Sequence, residues 1–202
     1  MSLYPHRLLQ KLRPLICPFE PLEQRVPKGA AVLDVGCGTG AFLLYLAQAG
    51  RIYSGMGVDI SSAALVAARS AWESLRRTGG CSLEFHAAEE LCEEERRWDM
   101  VTMVDVLHHI PPASQREFVE HAFRFVKPGG FFLYKDMCCR PWWRAGMSRL
   151  HDLVVAAQWI HYVPLGDVIS WVEQAGGKRL EECAYSRLWY GHELVLFRRK
   201  AA

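Results

Sequence analysis

The chain has 202 residues, enough for one substantial domain with its own core. Half of it is hydrophobic and 23% is charged, which is ordinary for a soluble globular protein, and a net charge of +2 gives no electrostatic case for nucleic acid. The longest apolar runs, such as Val154-Val155-Ala156-Ala157, fall far short of a membrane span, and no secretory leader pattern opens the chain.

Seven cysteines (17, 37, 81, 92, 138, 139, 183) form no C-x-x-C pair and are odd in number. Reduced thiols in a cytoplasm are therefore expected, with no disulfide framework. Cys138-Cys139 is read as a pair of small buried fillers, and no metal is assigned.

Residues 1–28 carry five prolines and an amphipathic stretch in which Leu8, Leu9, Leu12, Leu15 and Ile16 recur at helical spacing. This segment reads as a cap, followed by an irregular linker from Cys17 to Lys28. Its charge of +3 also permits contact with a membrane surface. Residues 29–202 read as a single domain. Strands are expected at 30–35, 53–59, 82–86, 99–105 and 130–136, and helices at 41–49, 62–77, roughly 88–94, and 114–125. Such alternation means a parallel sheet with helices on both faces. Residues 146–158 and 165–175 read as further helices, and 178–187 with 189–199 as a closing hairpin. The run Glu89 to Arg97 is a solvated face with a turn in it and is given no function.

The first strand ends in Val32-Leu33-Asp34-Val35-Gly36-Cys37-Gly38-Thr39-Gly40. Glycines spaced by two allow positive φ and a close approach of backbone to a ligand, and the helix that follows offers free N–H groups. A nucleotide-like cofactor is implied. A phosphate-binding loop needs Lys and then Ser or Thr at its end, but Gly40 is followed by Ala41. A dinucleotide loop needs G-x-G-x-x-G, and here the third glycine comes one residue early. Asp59, at the end of Gly57-Val58-Asp59, is suited to both hydroxyls of a ribose. Its alternative role is to cap the next helix, which Ser61 can also do.

The spacing D-x-G-x-G-x-G resembles motif I of the class I S-adenosylmethionine-dependent methyltransferases. The resemblance extends to Trp98 to Pro111 with its Leu107-His108-His109-Ile110, to Val126-Lys127-Pro128-Gly129-Gly130, and to the last strand after Ala175-Gly176-Gly177. It is close over about residues 30–137 and fits the small-molecule members that carry an "LHH" segment. It implies a Rossmann-like seven-stranded, mostly parallel sheet with helices on both faces and an antiparallel last strand. It also implies S-adenosyl-L-methionine as cofactor, held by Asp34, Gly36, Gly38, Gly40, Asp59, Ile60, Ala88, Glu89 and Asp105. One departure stands out. Where the family often ends its third strand in Asp-Ala, this chain has Ala87-Ala88, which leaves the adenine to backbone at Ala88, to Glu89 or His86, and to apolar contact from Ile60.

Methyl transfer from a sulfonium is an in-line displacement, and a hydroxyl or amine nucleophile also loses a proton. His108 and Asp136 fall at the ends of strands that are neighbours in the family's sheet, and a His–Asp pair makes a sound base. The alternative is that these histidines close the pocket or cap the following turn. The insertion at about 138–164 holds Trp142, Trp143, Trp159, His161 and Tyr162, with Arg140, Arg144 and Arg149. It suggests a small acceptor that is apolar, aromatic or lipid-like; the arginines are placed to hold a carboxylate or phosphate. Alternatively the tryptophans fill the core and the arginines are solvated. Methylation of such an acceptor, on oxygen by preference, is the expected function. The other readings are a binding partner or regulatory protein that takes the cofactor without transferring a methyl group, and a nicotinamide-dependent oxidoreductase.

Overall fold

The computed structural model describes residues 18–75, 80–91, 98–137, 161–187 and 190–201. In chain order these form α1 (Glu20–Glu23), β1 (Ala30–Val35), α2 (Ala41–Gln48), β2 (Ile52–Asp59), α3 (Ser62–Leu75) and β3 (Ser82–Ala87). There follow β4 (Trp98–Val104), α4 (Pro112–Arg124), β5 (Val126–Met137), α5 (Leu165–Gln174), β6 (Gly177–Arg187) and β7 (Tyr190–Arg199). The strands make one seven-stranded sheet in the order β3-β2-β1-β4-β5-β7-β6. The first five are mutually parallel, and β7 runs antiparallel to both β5 and β6. This is the Rossmann-like arrangement that the alternation implies.

Each face of the sheet carries its own core. On one face α1, α2 and α3 place Phe19, Leu22, Phe42, Leu43, Leu46 and Leu65 over Val32, Met100 and Leu133. On the other, α4 and α5 place Val119, Phe123, Val168 and Val172 over Leu33, Phe132 and Phe197. Each such large side chain taken from water contributes roughly 1.5–3 kcal/mol, far more than any surface ion pair, so these two layers hold the sheet. Among the described residues no helix is long and apolar enough to cross a membrane.

Three expectations shift. The Cys17–Lys28 linker contains one helical turn, α1, because Phe19, Leu22 and Val26 recur at helical spacing and are buried. Of the helix expected at roughly 88–94, the described part forms a single 3₁₀ turn, Ala88–Glu90, without a buried residue or an apolar stripe to dock, and residues 92–94 lie outside the described residues. β5 begins four residues early, at Val126, by way of a register irregularity opposite Trp98 to Met100. Gly130 makes that possible: a Cβ there would stand 2.9 Å from the Asp99 carbonyl oxygen. The helix expected at 146–158, the amphipathic stretch before residue 18 and the aromatic and arginine residues of the insertion up to Trp159 lie outside the described residues.

Candidate active site

The sheet order reverses between β1 and β4, and in open α/β sheets ligands bind at the carboxyl ends of the strands beside that reversal. The glycine loop occupies this place. Gly36, Gly38 and Gly40 all have positive φ, between 54° and 74°. Space excludes side chains as firmly as conformation does. A Cβ on Gly36 would lie 2.5 Å from Val106 Cγ2, and one on Gly40 would lie 2.5 Å from Phe85 Cε1. The loop is held from β2: the Gly36 and Cys37 N–H groups both donate to the Val58 carbonyl, at 2.8 and 3.0 Å. Asp34, buried at the end of β1, accepts the Thr102 hydroxyl of β4 at 2.7 Å.

Asp59 is built into the same loop. One carboxylate oxygen accepts the Gly38 N–H at 2.7 Å and the other accepts the Ser61 N–H at 2.8 Å. Capping of α3 falls to Ser61, whose hydroxyl accepts the Ala64 N–H at 3.3 Å. A carboxylate offers about four acceptor positions, so Asp59 retains capacity for a ligand. Next to it Ile60 is 85% exposed, an isolated large apolar side chain at a strand end. Ala88 and Glu89 sit in the 3₁₀ turn after β3, with Glu89 exposed. The His86 ring is taken up by Glu90 at 3.0 Å and Glu84 at 3.3 Å.

The second half of the site is where β4 and β5 end. His108 Nδ1 lies 2.5 Å from Asp136 Oδ1, both side chains are only 5% exposed, and the His108 N–H reaches Asp136 Oδ2 at 3.3 Å. A carboxylate acceptor makes Nδ1 the donor, and in the neutral ring the lone pair is then at Nε2. The Met137 N–H also donates to Asp136, at 2.7 Å. The two residues singled out from the sequence therefore meet. Asp105, at the end of β4, has φ 56°, a left-handed conformation that non-glycine residues rarely adopt.

Two contributors were missed in the sequence. Lys135 is fully buried and donates from Nζ to Asp105 Oδ1 at 2.5 Å. Its signal was alternation: Phe131, Leu133 and Lys135 share one strand face, and a lysine on a buried face needs an acid. The other is Gln115, buried on α4. Its side-chain amide faces the carbonyls of Ile110 at 3.0 Å, His161 at 3.2 Å and Leu107 at 3.4 Å. It occupies a position of the apolar stripe that Val119, Ala122 and Phe123 continue. The His161 N–H in turn donates to the His108 carbonyl at 2.8 Å. Among the described residues Cys37, Cys81 and Cys183 form no disulfide, and no cluster of His, Cys, Asp and Glu could hold a metal.

A family model described as "Methyltransferase domain" matches residues 4–181. Among curated proteins, a ubiquinone biosynthesis O-methyltransferase from Pseudomonas fluorescens (strain SBW25) is 38% identical over 116 residues, 56% of this chain and 47% of the relative. The chain thus spans about half the length of these curated relatives. In fold it resembles a magnesium protoporphyrin IX methyltransferase from Synechocystis PCC 6803 with bound SAH, with a TM-score of 0.69 and 18% identity over 97% of this chain and 82% of that one. It also resembles the [4+2]-cyclase SpnF, with a TM-score of 0.73 and 16% identity over 91% and 80% of the two chains. Those structural likenesses are of fold alone, and the second shows that the fold by itself does not fix the reaction.

Proposed function

The chain belongs to the methyltransferase-domain family, and from that premise we propose that it is an S-adenosylmethionine-dependent methyltransferase acting on an oxygen of a small acceptor. The observation that carries the reading is the His108–Asp136 pair beside the glycine loop. A buried imidazole oriented by a carboxylate is a group for taking a proton from a hydroxyl, which a purely binding role does not call for. The O-methyltransferase relatives support oxygen as the nucleophile.

The residues present fit the cofactor. Gly36 and Gly40 keep side chains out of a cradle that a Cβ would fill, Asp59 keeps acceptor capacity for ribose hydroxyls, and exposed Ile60 offers an apolar surface for adenine. When bound, S-adenosylmethionine supplies an electrophilic methyl carbon on a sulfonium. Asp34, Gly38, Ala88, Glu89 and Asp105 complete the proposed binding set. His108 takes the acceptor's hydroxyl proton at Nε2 as the nucleophile attacks, and Asp136 stabilises the imidazolium that forms. One base suffices, because only the acceptor hydroxyl has a proton to lose.

A phenol suits this base. Its pKa of about 10 makes a buried imidazole an adequate acceptor only while the proton leaves in step with the attack. An aromatic or lipid-like acceptor, reached in a cytoplasmic setting, is the finer part of the proposal. It is supported by the tryptophans of the 138–164 insertion and by the relatives' assignment to ubiquinone biosynthesis.

The test has two arms. Calorimetry with S-adenosylmethionine, S-adenosylhomocysteine and NADH should give binding of the first two only; binding of neither overturns the reading. Labelled methyl donor is then offered with a panel of catechols, hydroxybenzoates and prenylated phenols, where transfer to oxygen is expected. Donor binding with no transfer to any member would favour the regulatory reading.

A further inference from the structure

Lys135 takes no part in the proton path, yet it is fully buried. Its amine donates to Asp105 Oδ1 at 2.5 Å, and its carbonyl accepts the Asp105 N–H at 2.9 Å, so one residue of β5 grips Asp105 by side chain and backbone together. Stability does not account for the arrangement. A buried ion pair is often no better than apolar residues of equal volume, and left-handed backbone at a non-glycine residue costs about 1 kcal/mol or more.

Its place suggests another reason. Asp105 and Val106 follow β4 at the sheet reversal, where Val106 packs against Gly36 of the glycine loop. The pair is also asymmetric: the Asp105 side chain keeps 17% of its exposure and Lys135 none. The acid faces outward and the amine stands behind it. An acid here without the Lys135 charge would attract a sulfonium donor more strongly in its ground state. That charge disappears as the methyl group leaves, so ground-state attraction would add to the barrier.

We propose that Lys135 is a positioning residue that fixes Asp105 in its left-handed conformation and cancels its charge, so that the crevice does not favour the cationic donor over the neutral thioether product. This rests on the methyltransferase reading above. The readout is the ratio of affinities for S-adenosylmethionine and S-adenosylhomocysteine, measured by calorimetry at constant ionic strength. The two ligands differ in the methyl group and its charge, so contacts common to both cancel.

Lys135→Met, which takes the amine's charge away from the acid, should move the ratio toward the sulfonium ligand by on the order of tenfold. Asp105→Asn, which takes the acid's charge away from the amine, should move it the other way, and Lys135→Met with Asp105→Asn should return it to within about threefold of wild type. A pair that merely packs the strand ends would lower both affinities together and leave the ratio alone, and that result overturns the proposal. Should Lys135→Met fail to fold, Asp105→Asn and the double variant still carry the test through the sign and its reversal. Wild-type protein that binds neither ligand refutes the methyltransferase reading; wild-type protein that binds both, with a ratio no variant moves, refutes only the role of Lys135.

Discussion

Lys135 and Asp136 are consecutive on β5 and take opposite-charge partners from the same β4 loop on opposite faces of the sheet. Lys135 holds Asp105, and Asp136 holds His108. Alternation along a strand separates neighbouring side chains, so two adjacent residues grip one short loop from both sides. The loop that carries the proposed base is thereby fixed before any ligand arrives, which is the preorganisation that proton transfer requires.

His108→Ala should lower methyl transfer by about 10²–10⁴-fold while leaving affinity for S-adenosylhomocysteine within about twofold. Asp136→Asn should also slow turnover, since an amide neither fixes the ring's tautomer nor stabilises its protonated form as the carboxylate does. Single-turnover assays with labelled donor, paired with titration of the product, separate the two quantities. Unchanged turnover in His108→Ala removes the histidine from the mechanism.

The Asp59 carboxylate accepts the Gly38 N–H, so it both shapes the loop and faces the proposed ribose site. Asp59→Asn keeps a single acceptor oxygen. Affinity for S-adenosylhomocysteine should fall about tenfold, the loss of roughly one charge-assisted hydrogen bond. Calorimetry measures it.

Gly40→Ala and Gly50→Ala separate conformation from crowding. Both positions have positive φ, 72° and 62°, but only Gly40 has a neighbour, Phe85, where the new Cβ would sit. Gly50→Ala should cost about 1 kcal/mol, and Gly40→Ala on the order of 3 kcal/mol. In a protein of this size those correspond to Tm losses of about 2–4 °C and roughly 6–12 °C. Calorimetric melts decide, and equal losses would rule out the contact with Phe85.

Gln115 gathers three carbonyls of the His108 loop and the segment that follows the insertion. Gln115→Met should lower Tm by about 3–8 °C, as buried carbonyls lose their donor. Gln115→Glu should be worse at neutral pH, where a carboxylate faces those oxygens. Its acid pKa is raised in the folded state, so the penalty is present above the unfolded value of about 4.3 and fades as the pH falls through the folded one. Melts of both variants at pH 5 and pH 8 test the sign.

Asp99 links the starts of three strands, accepting the Ala31 N–H at 2.8 Å and pairing with Lys127. Burial pushes its pKa up, but the Ala31 N–H and the Lys127 charge outweigh burial and hold the acid below its ordinary value. A lowered acid stabilises the fold above the unfolded pKa and ceases to do so as the pH falls through the folded one. Asp99→Ala should therefore cost about 1–2 kcal/mol at pH 7, and the gap to wild type should narrow in acid, in the range below about 3.9. Urea titrations at pH 7 and pH 3 measure it.

The fold was legible because its signals are local. Gly36, Gly38 and Gly40 mark a turn that few other residues can make, and β-branched runs alternate with amphipathic ones. The His108–Asp136 pair was legible for a different reason, since adjacent parallel strands bring their carboxyl ends together whatever lies between them. Lys135 and Gln115 were missed because their roles depend on partners that local spacing does not reveal. A polar residue at an apolar position says that it must be satisfied, but not by which group. The described stretch Ala88 to Leu91 departs from the expected helix because Glu89 and Glu90 bring helix propensity without an apolar face to dock. Propensity alone sustains no more than the one turn seen at Ala88–Glu90.

The position of β7 sets the order in which the molecule can be completed. β5, which carries Lys135 and Asp136, is flanked by β4 on one edge and by β7 on the other, and β7 pairs with it as far as Met137 with His192. During synthesis that second edge stays bare until residues 190–199 emerge. A nascent chain therefore presents an unpaired, largely apolar strand through its whole late stage, open to misdirected pairing with other chains. The sheet closes around its proposed catalytic strand last, and this non-local pairing makes for slow folding.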